Sequence, residues 1–306
     1  MKRHILFLLV MIFGFGVIIA QEDEAQKPKK KKDKPISETF NCGLLIDEQT
    51  CALSEKKTLE MQIQHRFGLI KDNGISDLYG VYAPSANTRM GLNYSILDNL
   101  MVGYGITRKN MYSDFQVKYN ILQQTRKNTI PVTVTLYGNM AIDGRNKSVF
   151  TTATADSTYK FANRLSYFTQ VMVSRKFNDW FSFSVNGSFT HFNSVKADTA
   201  GVKGMNHDQI GVGFMGRFKF SPQSSIVFHY SIPLDIKSIK ENTLVTNKPK
   251  SNFGIGYQVA TATHAFEIFI SASNGIIPQD TYMYNTSDWT DGEFRIGFNI
   301  TRLWGF

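Results

Sequence analysis

Cysteine is nearly absent: the 306 residues hold two, Cys42 and Cys51. That excludes a disulfide-built scaffold, and no further Cys or His lies close enough to complete a four-ligand metal set. The pair either closes a small loop disulfide, which an exported chain can keep, or stands as two free thiols. Long apolar runs are also absent beyond Ala20, and mean hydropathy is −0.21. A bundle of membrane helices is thereby excluded. Any membrane-embedded form must cross with strands, and strands in lipid need a closed barrel to satisfy their backbone. Catalytic signatures are missing too: neither G-x-S-x-G nor H-E-x-x-H occurs. The histidines past the N-terminus are His65, His191, His207, His229 and His264, and they form no set. His191 and His207, with Asp198 and Asp208 near them, are the one candidate for acid/base work or a weak metal site; solvated loop residues are the plainer reading. No catalytic residue, metal or cofactor is assigned, and the chain is not expected to be an enzyme.

What is present begins with an export signal. Lys2, Arg3 and His4 precede the apolar run Ile5–Ala20, and Ala20 then meets Gln21, Glu22, Asp23 and Glu24. Basic start, apolar centre and small-residue end are the order of a secretory signal. Residues 1–20 are therefore expected to be removed on export. No Cys follows the run, so no lipid-anchored N-terminus is expected.

The net charge is +9. Lys2 and Arg3 leave with the signal, and residues 21–36 carry six Lys against Glu22, Asp23, Glu24 and Asp33. In an exported chain broken by Pro28 and Pro35, this stretch reads as a solvated periplasmic tether rather than a nucleic-acid contact. Residues 21–57 are expected to form that Lys-rich tether and an N-terminal segment.

From Thr58 onward apolar and polar residues alternate, the period of a half-buried strand. Leu59, Met61 and Ile63 set the pattern, Met90, Leu92 and Tyr94 continue it, and Phe294, Ile296, Phe298 and Ile300 end it. Twelve such segments can be counted; Leu165–Ser174 is the least regular. The links between them alternate short and long. Those near Leu97–Asn99, Lys176–Asp179, Ser221–Gln223 and Thr261–Thr263 are short, as is 122–128. Those at 70–86, 143–163, 193–206, 232–250 and 273–290 are long, with Arg108–Met111 the exception. The expected fold is all-β: an antiparallel up-and-down transmembrane β-barrel of about twelve strands spanning residues 58–306. Tyr94, Tyr104, Tyr119, Tyr230 and Phe181 are candidates for its interfacial girdles. The opposite parity carries Gly91, Gly103, Gly105, Gly211, Gly213, Gly254, Gly256 and Gly297, which suit the inner wall of a curved sheet.

Counting back by two from Phe306 gives Trp304, Arg302, Ile300 and Phe298 on one strand face. Trp304 and Phe306 resemble the C-terminal signal of outer-membrane barrels, read by the barrel assembly machinery. Arg302 departs from the pattern, which a position near the interface would accommodate. The stretches LEMQIQHRFGLI (59–70) and TRMGLNYSILDNLMVGYGITRKNMYSDFQVKYNILQQ (88–124) are similar to a membrane-bound β-barrel family of the Bacteroidota with no known activity. The resemblance implies an outer-membrane barrel and carries over no catalytic residue.

On the inward parity, Arg66, Arg89, Lys118, Arg217, Lys219 and Arg295 oppose Glu60, Glu267 and Glu293, an excess of three positives. His229 also falls inward, whereas His65 falls on the lipid-facing parity. A basic lining favours anions where a channel is open. The expected function is thus a small pore or transporter with a basic lumen, in the outer membrane of a Gram-negative bacterium. The alternative is a non-conducting structural or partner-binding barrel. Outer-membrane lipid and the assembly machinery are the expected partners, and nucleic acid is not.

Overall fold

The computed structural model describes residues 33–73, 75–150, 159–195, 206–236 and 248–306. The expected signal at 1–20, most of the Lys-rich tether and Asp198 lie outside the described residues. Lys34–Phe306 forms one unit, and it holds every strand and helix of the described residues.

Two short strands, β1 (Leu44–Leu45) and β2 (Glu48–Gln49), form a hairpin. Twelve long strands follow: β3 (Thr58–Leu69), β4 (Asn87–Leu97), β5 (Leu100–Thr107), β6 (Tyr112–Leu122), β7 (Thr133–Ile142) and β8 (Leu165–Lys176), then β9 (Phe181–Phe192), β10 (Asp208–Lys219), β11 (Ser224–Pro233), β12 (Asn252–Ala260), β13 (His264–Ser271) and β14 (Arg295–Gly305). Each pairs antiparallel with its sequence neighbours, and β14 pairs with β3, so the sheet closes on itself. Closure removes the unpaired edges that lipid would not tolerate. The helices are short: α1 (Ile70–Asn73) caps β3, and α2 (Pro278–Tyr284) lies in the β13–β14 loop.

The alternation sorts side chains across the wall. Leu92, Tyr94, Ile106, Phe115, Val117, Val171, Phe189, Ile255 and Ile268 are exposed on the outside. Their neighbours Asn93, Gln116, Lys118, Gln170 and Glu267 are buried on the inside. An apolar face turned outward over a polar interior is the inverse of a water-soluble sandwich, and it is stable only against hydrocarbon. Tyr94, Tyr119 and Phe181 stand outward near the short-turn end; Tyr104 stands mid-strand. Trp180 and Phe218 extend the short-turn belt, with ring centroids 6.0 Å apart. Arg302 also stands outward there, 4.8 Å over the Trp304 ring, which resolves its place in an apolar row. His65 is on the outer face as its parity requires, stacked on Phe298 with centroids 5.1 Å apart.

Two expectations are corrected. Glu293 is not on a strand: β14 begins at Arg295, and Glu293 accepts from the Asp288 backbone N–H at 2.7 Å within the loop. The N-terminal segment is not all periplasmic tether. Residues 39–51, apart from Asn41, are buried, and they lie inside the barrel.

A doubly plugged interior

The hairpin Leu44–Gln49 enters from the short-turn end and binds the inner wall on many sides. Its tip is Ile46–Asp47. Ile46 has φ 54°, a left-handed conformation that a β-branched residue rarely takes. Three inward side chains hold it there. Ile46 N–H donates to Glu267 Oε2 at 3.0 Å, and Ile46 O accepts from Arg66 Nη2 at 2.8 Å and Asn299 Nδ2 at 2.9 Å. A strained residue persists where its surroundings over-determine it.

Asp47 is the hub of the charge network. Its carboxylate accepts from Arg66 Nε at 2.8 Å, from Asn252 Nδ2 at 2.9 Å and from the Ser271 hydroxyl, with His229 Nε2 3.4 Å away. Burial alone would raise this carboxyl. The Arg66 charge, the His229 contact and Ser271 together outweigh it and hold Asp47 well below the usual carboxylate range. Glu48 differs: burial pushes its carboxyl up despite bonds from Gln170 Nε2 (3.0 Å) and Tyr282. Contacts nearer the short-turn end complete the seat. Lys118 Nζ donates to Gly43 O at 2.7 Å, and Asn120 Nδ2 to Cys51 O at 3.2 Å. Cys42 and Cys51 are free, buried thiols, and Cys42 Sγ donates to Leu44 O at 2.9 Å. Burial pushes both thiols up.

From the other end the β13–β14 loop folds inward with α2 at its tip. Gln279 Nε2 donates to Asn139 Oδ1 at 2.7 Å, and Tyr112 OH meets Asp280 Oδ1 at 3.1 Å. Tyr282 reaches furthest: its hydroxyl donates to Glu48 Oε1 at 2.9 Å. Hairpin and loop helix therefore meet inside the barrel. A cavity of about 700 Å³ lies at the short-turn mouth and one of about 330 Å³ at the long-loop mouth, and no residue lines both.

The inward glycines serve this packing. A Cβ at Gly211 would sit 2.3 Å from the Tyr282 ring, and one at Gly254 would meet His229 at 2.6 Å and Ile46 at 3.0 Å. The irregular strand β8 has the same cause. Phe168 and Met172 face inward because they pack with Tyr137 and Tyr282. Likewise Met215, Val227 and Phe269 form an internal cluster with Phe40, Leu45 and Ile46. Apolar residues on the polar parity were the one sequence sign of a filled interior.

The proposed lining charges are nearly all placed inside, but not as a basic channel. Arg66, Arg89, Lys118, Arg217, Arg295, Glu60 and Glu267 are buried inward, while Lys219 lies at the short-turn rim, 3.3 Å from Glu38. Among the described residues, the five buried cations are accompanied by seven buried carboxylates: Asp47, Glu48, Glu60, Asp114, Asp143, Glu267 and Asp280. Arg89 Nη2 pairs with Asp114 at 2.6 Å, Arg217 binds Asn41, and Arg295 binds Ala272 O and Ser287 Oγ. The expected excess of positives fails because Asp47, Glu48 and Asp280 arrive on inserted segments, Asp143 follows the end of β7, and Asp114, on the inward parity of β6, adds a carboxylate the lining charges did not include.

His191 and His207 do come together, with ring centroids 6.2 Å apart, but on the outer wall. His191 Nδ1 is 2.6 Å from Asp208 Oδ1, and its Nε2 is occupied by Asn193 Oδ1 at 2.9 Å. Among the described residues no three metal-binding side chains cluster.

A twelve-strand closed wall with an apolar exterior narrows the comparison to membrane barrels. The sequence profile of the family described as membrane bound beta barrel domain (DUF5777) matches residues 40–304. The chain belongs to this family. The match starts at Phe40, so the inserted hairpin falls within the family's own domain. Solved structures with a similar fold include the KdgM porin, at 5% identity and TM-score 0.44, covering 80% of this chain and 98% of that one. An outer membrane channel from Pseudomonas putida F1 shares 13% identity at TM-score 0.46, covering 83% and 97%, and the NanC porin 9% at 0.46, covering 81% and 99%. No match is found among curated proteins.

Proposed function

We propose that this DUF5777 protein is an outer-membrane β-barrel of a Gram-negative bacterium whose interior is closed at rest. It works as a structural or ligand-binding barrel rather than as an open pore. One observation carries this reading: the N-terminal hairpin and the β13–β14 loop enter from opposite ends and are joined by the Tyr282–Glu48 hydrogen bond. The outward apolar wall and the export-type N-terminus support the location, and the stretches 59–70 and 88–124 support a Bacteroidota source. A pore with an anion bias is the weaker reading, because the buried cations are already held by carboxylates or backbone carbonyls. Folded protein, verified as a heat-modifiable band, is expected to insert into planar bilayers without steady conductance in molar KCl. A stable open level from the intact chain would refute the closed-barrel reading.

A further inference from the structure

The 330 Å³ cavity at the long-loop mouth is within the size range of small-ligand sites. Its floor is the plugging loop, through Asp280 and Tyr284; its walls are the β5–β6 and β7–β8 loops, through Lys109, Arg145, Phe150 and Arg164. The charges here are unequally spent. Asp143 takes Arg145 on both carboxylate oxygens at 2.6–3.0 Å, and Asp280 takes Tyr112 OH and Lys109 Nζ, each at 3.1 Å. Both carboxylates are thus used up inside the wall. The two arginines are not. Arg145 Nη1 and Arg164 Nη2 have no partner among the described residues, although Arg164 Nε and Nη1 are fixed by Tyr159 OH, Asp143 O and Arg145 O. The Tyr284 hydroxyl is also unpartnered among the described residues, and burial followed by the nearby Asp280 charge pushes its phenol up, so it stays a neutral donor.

Ring faces complete the site. Phe150 lies under both guanidinium groups, 5.9 Å from Arg145 and 5.0 Å from Arg164, and Tyr284 meets Phe192 edge to face at 4.9 Å. Phe150 and Phe192 are themselves buried and back the site, so a visitor finds surplus donors, a net positive charge and the half-buried Tyr284 ring. We propose that this mouth binds a small soluble anionic sugar, a carboxylated or phosphorylated saccharide whose oxygens meet Arg145, Arg164 and Tyr284 and whose ring lies against the Tyr284 side chain. The ligand comes from solution and not from the bilayer, because Tyr112, Asp143 and Asp280 face the interior. The inference holds whether or not the interior ever conducts.

Ligand-detected NMR on the intact protein in detergent micelles tests it, with glucuronate and glucose 6-phosphate as probes and glucose and inorganic phosphate as controls. Saturable millimolar or tighter binding of at least one anionic sugar is expected, with glucose and phosphate markedly weaker. Arg164→Gln and Tyr284→Phe, each verified as folded by heat-modifiability, are expected to weaken it about tenfold, the loss of one charge-assisted hydrogen bond. Lys176→Gln at the opposite end is expected to leave it unchanged. Absence of binding by both anionic sugars, affinities untouched by both mouth variants, or phosphate binding as tightly as the phosphorylated sugar would each overturn the assignment.

Discussion

Asp47 is the residue on which the interior depends most. Its removal leaves Arg66, itself fully buried, without its carboxylate. An uncompensated buried charge costs about 3–5 kcal/mol. Asp47→Ala is therefore expected to lower stability by roughly that amount, read from urea unfolding in lipid vesicles, while Asp47→Asn loses less because Asn252 and Ser271 keep an acceptor. Sign also matters. A carboxyl held below its unfolded value stabilises above that value, about 3.9, and loses the contribution only as pH falls toward the folded one. Asp47 thus keeps its hold through mild acid. Glu48 runs the other way. Its folded carboxyl is raised, so its contribution is present in acid and is lost as pH rises through the folded value. The charges acting on it are His229 and Asp47, with the Tyr282 hydroxyl bonded to it. Glu48→Gln is expected to flatten the pH dependence of the unfolding midpoint above the ordinary glutamate value, with Asp47 left to dominate at lower pH.

At the scale of elements, the two inserted segments can be separated by experiment. Gly211→Val places a side chain where the Tyr282 ring lies, 2.3 Å from even a bare Cβ. It is expected to expel α2 while leaving the hairpin seated. The check is faster proteolytic cutting within residues 272–294 without loss of the heat-modifiable band; unchanged cutting would mean the loop is not held by this contact. The strands were legible because period-two alternation follows directly from a wall with one apolar and one polar side. The short and long links were legible as the gaps left between the alternating segments. The inserted segments were not. A four-residue hairpin ladder and a two-turn helix are too short to show a period, and their partners, from Arg66 to Ser271, are distant in sequence. Met215, Val227 and Phe269 on the polar parity held the clue, since an aqueous lumen gives no reason to place them there.

For the molecule as a whole, the wall and its contents form one charge-balanced body. Removing residues 39–54 would expose Arg66, Lys118 and Arg217 together, so a truncated chain is expected to be less stable and, where it folds, leaky to anions. Bilayer recordings of truncated against full-length protein would check this; equal silence from a folded truncation would mean that the β13–β14 loop closes the barrel alone. The candidate site at the long-loop mouth was invisible in the sequence for a related reason. Lys109, Arg145, Arg164 and Tyr284 come from three connections, and only closure of the sheet gathers them.

The hairpin, with Gly43 just before it, precedes the first long strand and touches residues of β3, β6, β8 and β11–β14. The last of these, Asn299, lies beside the seam where β14 meets β3. Sewing that seam shut first would leave the leader to thread a finished cylinder. An order that avoids such threading would dock the tip early and wrap successive strands around it as staves wrap a mandrel, with the Asn299 contact made when the final stave arrives.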